Sequence, residues 1–275
     1  MKQTDKGILF FTVPVVILMV ITSCFGILHS ATYAKETSAW YAQTIGQDFS
    51  NLFVVAPLLF FSSFFASKGS RVGILIWLGA MITNIYSFVI YCFALHFNSL
   101  FLFYCVILGL SIYSVLYFFY RNIKVSFKSW FGKLVPVKSV GIFLIMIALV
   151  FAMVWLSDAL PAILTDKTPE SITKAGLLSN PVHALDFSFY LPLMILAGVL
   201  LIKKRSIGYI LAPPMILFAA MTAMNIVSLM IVSMWFLKVN TLPPIIIFSG
   251  LTLTCLFFFS AMLRQLEEEE QRTLS

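Results

Sequence analysis

Three side chains able to do chemistry follow Asn180-Pro181 closely: His183, Asp186 and Tyr190. At i, i+3 and i+7 they share one face of a helix, with Asn180 as its cap and Pro181 as a favourable first-turn residue. A second pair, Asp48 and Asn51, repeats the i, i+3 spacing. Shifting the chain by 135 residues lays His183 on Asp48 and Asp186 on Asn51. Two related helices would then turn polar faces toward one shared mouth for a small solute, an ion or a lipid headgroup.

Two other readings stay open. Asp48 can cap a helix N-terminus, where the macrodipole favours an acid, while histidines anchor helix ends at the membrane interface. His29, His96 and His183 all fall near span ends on one side, and together could ligate a metal or a haem. No helix carries paired histidines, and no HExxH spacing is present. No cofactor is otherwise evident. Asp186 is the most informative of these residues, because a carboxylate inside a span needs a partner or water.

Eight apolar stretches must position these groups, at about 8–28, 49–66, 72–95, 99–119, 139–160, 183–202, 208–236 and 242–263. About 20 apolar residues of helix cross a bilayer. With 61% hydrophobic and 11% charged residues, the chain reads as an all-α integral membrane protein. Residues 1–275 form a single membrane domain. Of the 18 lysines and arginines, 14 fall on the side of the N-terminus and 4 on the other, so the positive-inside rule places both termini in the cytoplasm. The net charge of +7 is therefore a topology signal with attraction to anionic lipid, not a footprint for nucleic acid.

The 135-residue shift also superimposes Pro57 on Pro192, Lys68 on Lys203 and Gly73 on Gly208. It predicts parallel halves of four spans each, about 1–122 and 136–264, joined by the basic loop 121–138. That loop, with Phe127, Trp130 and Phe131, reads as an interfacial amphipathic segment, or else as a dock for a protein partner. The long connectors 29–48 and 161–182 read as a lid. Thr168-Pro169-Glu170 starts a short helix in the second, and Tyr33, Trp40 and Tyr41 of the first suit the headgroup zone. The charged tail 264–275, with its Glu267–Glu270 run, reads as a solvated extension of the last helix, or else as a segment that docks on the basic loop.

Inside the membrane, Asn84, Ser87 and Tyr91 share a face of the third span and Asn225 lies on the seventh. Such amides glue helices together. Glycines 109, 141, 198 and 250 are expected to let helices approach, and the Pro213-Pro214 and Pro243-Pro244 pairs to bend or begin them. Cys24, Cys92, Cys105 and Cys255 fall within spans without a CxxC pair and read as apolar core. Ile21-Thr22-Ser23-Cys24 is expected to stay uncleaved, since the apolar run continues past it. Walker, GxSxG, CxxCH and phosphate-loop motifs are missing, and nothing points to an enzyme. With no carboxylate expected in mid-membrane, a proton-driven carrier is disfavoured.

Gly46-Gln47-Asp48 with Pro57, the run His96-Phe97-Asn98-Ser99-Leu100-Phe101, and Asn180–Asp186 with Leu191-Pro192 resemble those of an uncharacterised family of bacterial multi-pass membrane proteins. The resemblance implies a bacterial cytoplasmic membrane. That family has no assigned activity, so it supplies no catalytic residues.

Overall fold

The computed structural model describes residues 5–267. Lys2, Glu268–Glu270 and Arg272, which entered the charge count and the tail reading, lie outside them. The protein is an all-α integral membrane protein with eight transmembrane helices among the described residues. Spans 1 to 8 are Lys6–Leu28, Ser38–Ser67, Arg71–Ala94, Phe101–Arg121, Val137–Leu164, Pro181–Ile202, Ser206–Leu237 and Leu242–Leu263. Seven agree with the sequence reading to within four residues. Below, the basic face is the one carrying the N-terminus, and the far face is its opposite.

Spans 3 and 7 are the most buried and pack on each other at the centre, whereas spans 1, 4, 5 and 8 are peripheral. Phe53, Phe61, Phe93 and Phe257 stand largely exposed on the flanks. A soluble protein would aggregate through so large an apolar surface, and in a bilayer it is the lipid-facing wall. In the first half, span 1 packs on spans 2 and 4, and span 3 packs on spans 2 and 4, closing a four-helix ring. In the second, span 7 packs on spans 6 and 8, and span 5 on span 6. Spans 5 and 8 meet through the rings of Phe143–Phe258 and Phe151–Phe248, with little close backbone approach.

Span 2 corrects the sequence reading most. Its helix starts at Ser38, capped by Thr37, and not near residue 49. Its first turns are polar enough to read as connector, but they are held against span 7: Gly46 lies on the backbone of Leu229, and Ser228 Oγ donates to the Gly46 carbonyl at 2.7 Å. Asp48 is thus the eleventh residue of a long helix and caps nothing, about 15 Å along it at 1.5 Å per residue.

Spans 2 and 6 each contain one π turn, at Asn51–Val55 and Asp186–Tyr190. The cause is Pro57 and Pro192, each two residues beyond the turn. A proline has no N–H to give the carbonyl four residues back, and its ring crowds that carbonyl. The ladder slips instead to i→i−5 bonds, Ala56 N–H to the Asn51 carbonyl and Leu191 N–H to the Asp186 carbonyl. The two turns are 135 residues apart. Gly73 and Gly208, also 135 apart, both press on backbone of the preceding helix, at Ala66 and Leu201.

Gly141 and Gly198 meet where spans 5 and 6 cross, and a Cβ on either would lie 2.6–2.7 Å from the other's carbonyl oxygen. Gly109 and Gly250 have open space around them and mark no crossing. Span 7 runs through Pro213-Pro214 as one helix, and Pro243-Pro244 begins span 8. The second connector forms the expected short helix, Glu170–Ala175, in which the hydrogen bond and charge of Lys174 hold the Glu170 carboxyl below its usual pKa.

The loop 121–138 differs from the interfacial segment expected. Phe127 and Phe131 turn inward onto Phe118 and Tyr209, and Arg71 lies over the Trp130 ring. Burying three large aromatics among the helix ends of the basic face outweighs leaving them at the interface. Lys124, Lys128, Lys133 and Lys138 stay exposed. Nor does the last helix simply extend into solvent. It stops at Leu263, and residues 265–267 pair with this loop: Gly132 N–H donates to the Gln265 carbonyl, Glu267 N–H to the Trp130 carbonyl, and Arg71 to the Glu267 carbonyl.

Candidate functional site

The five residues of the expected shared mouth fall into two separate networks, one on each side of span 3. Asp48 lies in the first and is wholly buried. Tyr33 donates to its Oδ2 at 2.9 Å and Tyr91 to its Oδ1 at 2.7 Å. The Tyr33 and Tyr104 hydroxyls are 3.4 Å apart. Asn51 Nδ2 reaches Ser23 Oγ and the Tyr91 hydroxyl at 3.4 and 3.5 Å, while its Oδ1 accepts from Gln47 at 2.9 Å. Sequence placed Tyr33 in the headgroup zone. Its ring is instead 1% exposed, because a buried carboxylate needs donors.

Asp48, Asn51, Tyr33, Tyr91 and Tyr104 are all buried. A Cβ on Gly26 would collide with Asp48 Oδ2 and the Tyr33 hydroxyl, so only glycine leaves room for the pair. Gly26→Ala is expected to lower stability by about 1–2 kcal/mol through overpacking, read as a lower melting temperature in detergent. A melting curve matching wild type would show that the carboxylate is not held there.

Asp186 and Tyr190 form the second network. Trp155 Nε1 of span 5 donates to Asp186 Oδ2 at 2.7 Å. Tyr190 stacks on Phe218 with centroids 4.7 Å apart and meets Tyr86 edge-on at 4.8 Å. Tyr86 and Tyr91 stand on the same span 3 helix, the first turned to Asp186 and Tyr190 and the second to Asp48. His183 lies against the Trp155 ring at 4.7 Å, with its Nε2 4.0 Å from Asp158. Asn180 caps span 6 as expected, accepting from the Val182 and His183 amides.

Asp186, unlike Asp48, lines a cavity. Beside it lies a small void bounded by Tyr86, Trp155, Phe218 and Thr222. This void shares the side chains of Ile147, Phe151, Trp155, Ile226, Phe248 and Leu251 with a neighbouring crevice of about 690 Å³ between spans 5, 7 and 8. The crevice opens sideways: Met146, Val150, Val154 and Ile247 at its rim are exposed on the flank, while Ile147 at its floor is buried. Gln43 and Val182 close it toward the far face. Its lining carries no lysine or arginine. Packed interiors leave few voids larger than a water molecule.

The three histidines have separate partners. His29 packs on Phe25 at 4.4 Å, and His96 binds Glu36 at 2.9 Å in a clamp between the first connector and the turn after span 3. No group of three or more His, Cys, Asp or Glu side chains among the described residues is placed to hold a metal ion. The amides act as glue: Asn84 donates to Ser111 of span 4 at 2.8 Å, and Asn225 accepts from Ser50 of span 2 at 2.5 Å. Trp155 was missed in the sequence, although it stands three residues before Asp158 on one helical face. Comparison with protein-family models, curated proteins and solved structures found no match to this chain.

Proposed function

We propose that the protein handles lipid, taking a hydrocarbon chain sideways from the bilayer into the crevice between spans 5, 7 and 8 with the polar end at Asp186. The observation that carries this reading is a 690 Å³ apolar, flank-opening cavity that shares its walls with the void beside a buried carboxylate. The corresponding spans 1 and 4 of the first half pack closely, and both oxygens of the corresponding Asp48 carboxylate are taken by tyrosines, so one half acts as scaffold and the other as site. The paired π turns and glycine contacts support a 4+4 duplication as the origin of this arrangement. Charge asymmetry supports both termini in the cytoplasm and Asp186 in the outer leaflet. The family resemblance supports a bacterial cytoplasmic membrane.

Val150→Trp places a large ring at the crevice rim, on a side chain about half exposed, and should leave the fold intact. In native mass spectrometry of detergent-purified protein, wild type is expected to retain one lipid and Val150→Trp to retain it about tenfold less, a change of about 1.4 kcal/mol. Equal retention by both proteins would sink the reading.

A further inference from the structure

We propose that the crevice selects amphiphiles bearing an amine, with the ammonium seated against Asp186; this rests on the lipid reading above. Asp186 is 8% exposed, with Oδ2 taken by Trp155 and Tyr86 alongside, in a void otherwise lined by apolar and aromatic groups and one threonine. Trp155 supplies a ring to which a cation is attracted. Asp158, one helical turn beyond Trp155 on span 5, lies outside both linings, 4.0 Å from His183 and accepting from Ser171. No lysine or arginine lines either the void or the crevice, so a phosphate or carboxylate headgroup would find no countercharge. An ammonium here makes a charge-assisted hydrogen bond in a medium of low dielectric.

The dimensions fit an amphiphile. Asp186 is the sixth residue of span 6, about 8 Å below its start, where headgroups meet hydrocarbon. From Trp155 down to Ile147 the crevice runs about 12 Å along span 5 at 1.5 Å per residue, toward the membrane centre. The ammonium would sit at the top and the chain below. A soluble amine would lack this second contact.

The test is binding of dodecylamine, dodecanol, dodecanoate and ethylamine to purified wild type, Asp186→Asn and Val150→Trp in nonionic micelles, read from melting-temperature titrations. In wild type, dodecylamine is expected to bind about tenfold tighter than dodecanol, with dodecanoate weaker and ethylamine without effect. Asp186→Asn should bring the amine and the alcohol level while both still bind. An amine preference that survives Asp186→Asn, or none in wild type, overturns the inference. Chain binding lost in Val150→Trp would then leave the lipid reading standing. Ethylamine binding as tightly as dodecylamine would overturn the amphiphile as ligand.

Discussion

Asp48→Ala is expected to be the most damaging single change in the protein. It removes the acceptor for two buried phenols, Tyr33 at 2.9 Å and Tyr91 at 2.7 Å, inside a network with no exposed member among Asp48, Asn51, Tyr33, Tyr91 and Tyr104. Each hydroxyl left without a partner costs about 1–3 kcal/mol, and the lost volume adds a cavity between spans 1 and 2. The combined loss is about 3–5 kcal/mol, a fall in melting temperature on the order of 10 °C. Asp48→Asn, which keeps an acceptor oxygen, is expected to lose less than half as much. A small effect of Asp48→Ala together with a large effect of Asp186→Ala on melting would reverse the assignment of scaffold and site.

Gly198→Val should be the second most damaging. Its side chain would be driven into the Gly141 carbonyl, 2.6 Å from where Cβ must stand, which is backbone that cannot swing away, with the Ile145 side chain 3.0 Å off beside it. Overpacking of this kind costs roughly 1–3 kcal/mol and reaches the upper end where backbone is the obstacle. The consequence extends beyond stability. Spans 5 and 6 run antiparallel from this crossing to Trp155 and Asp186, about 20 Å away along the helices. Spreading the crossing tilts the helices and lengthens the 2.7 Å indole–carboxylate bond. Gly198→Val is therefore expected to melt lower and to lose lipid retention as well, whereas Gly250→Val, in open space, should do neither.

Spans were legible because hydropathy alone demands them, and Leu242–Leu263 agrees at both ends. Span 2 was not, because Ser38 to Asp48 mixes Gln43, Thr44, Gln47 and Asp48 with few aliphatics. Contact with span 7, and with span 1 beside it, buries that stretch. Spacing drew attention to the polar residues, but spacing on one helix says nothing of the helix that stands between two faces. Span 3 divides Asp48 from Asp186, with Tyr91 serving one and Tyr86 facing the other. The π turns were hidden in the same way. Pro57 and Pro192 were visible as a pair, but a proline near a helix start ordinarily begins a turn and does not slip the ladder behind it. The crevice left no trace in the sequence, since its walls are the same Val, Ile, Phe and Met that face lipid elsewhere.

The most direct measurement is photo-crosslinking of the reconstituted protein with a phospholipid whose acyl chain carries a diazirine near its middle, followed by mass-spectrometric mapping. Adducts are expected at the buried floor residue Ile147 and at the half-buried walls Ile226 and Leu251, competed away by unlabelled lipid and lost in Val150→Trp. Adducts confined to flank residues such as Phe53, Phe93 and Phe257, unchanged in that variant, would contradict it.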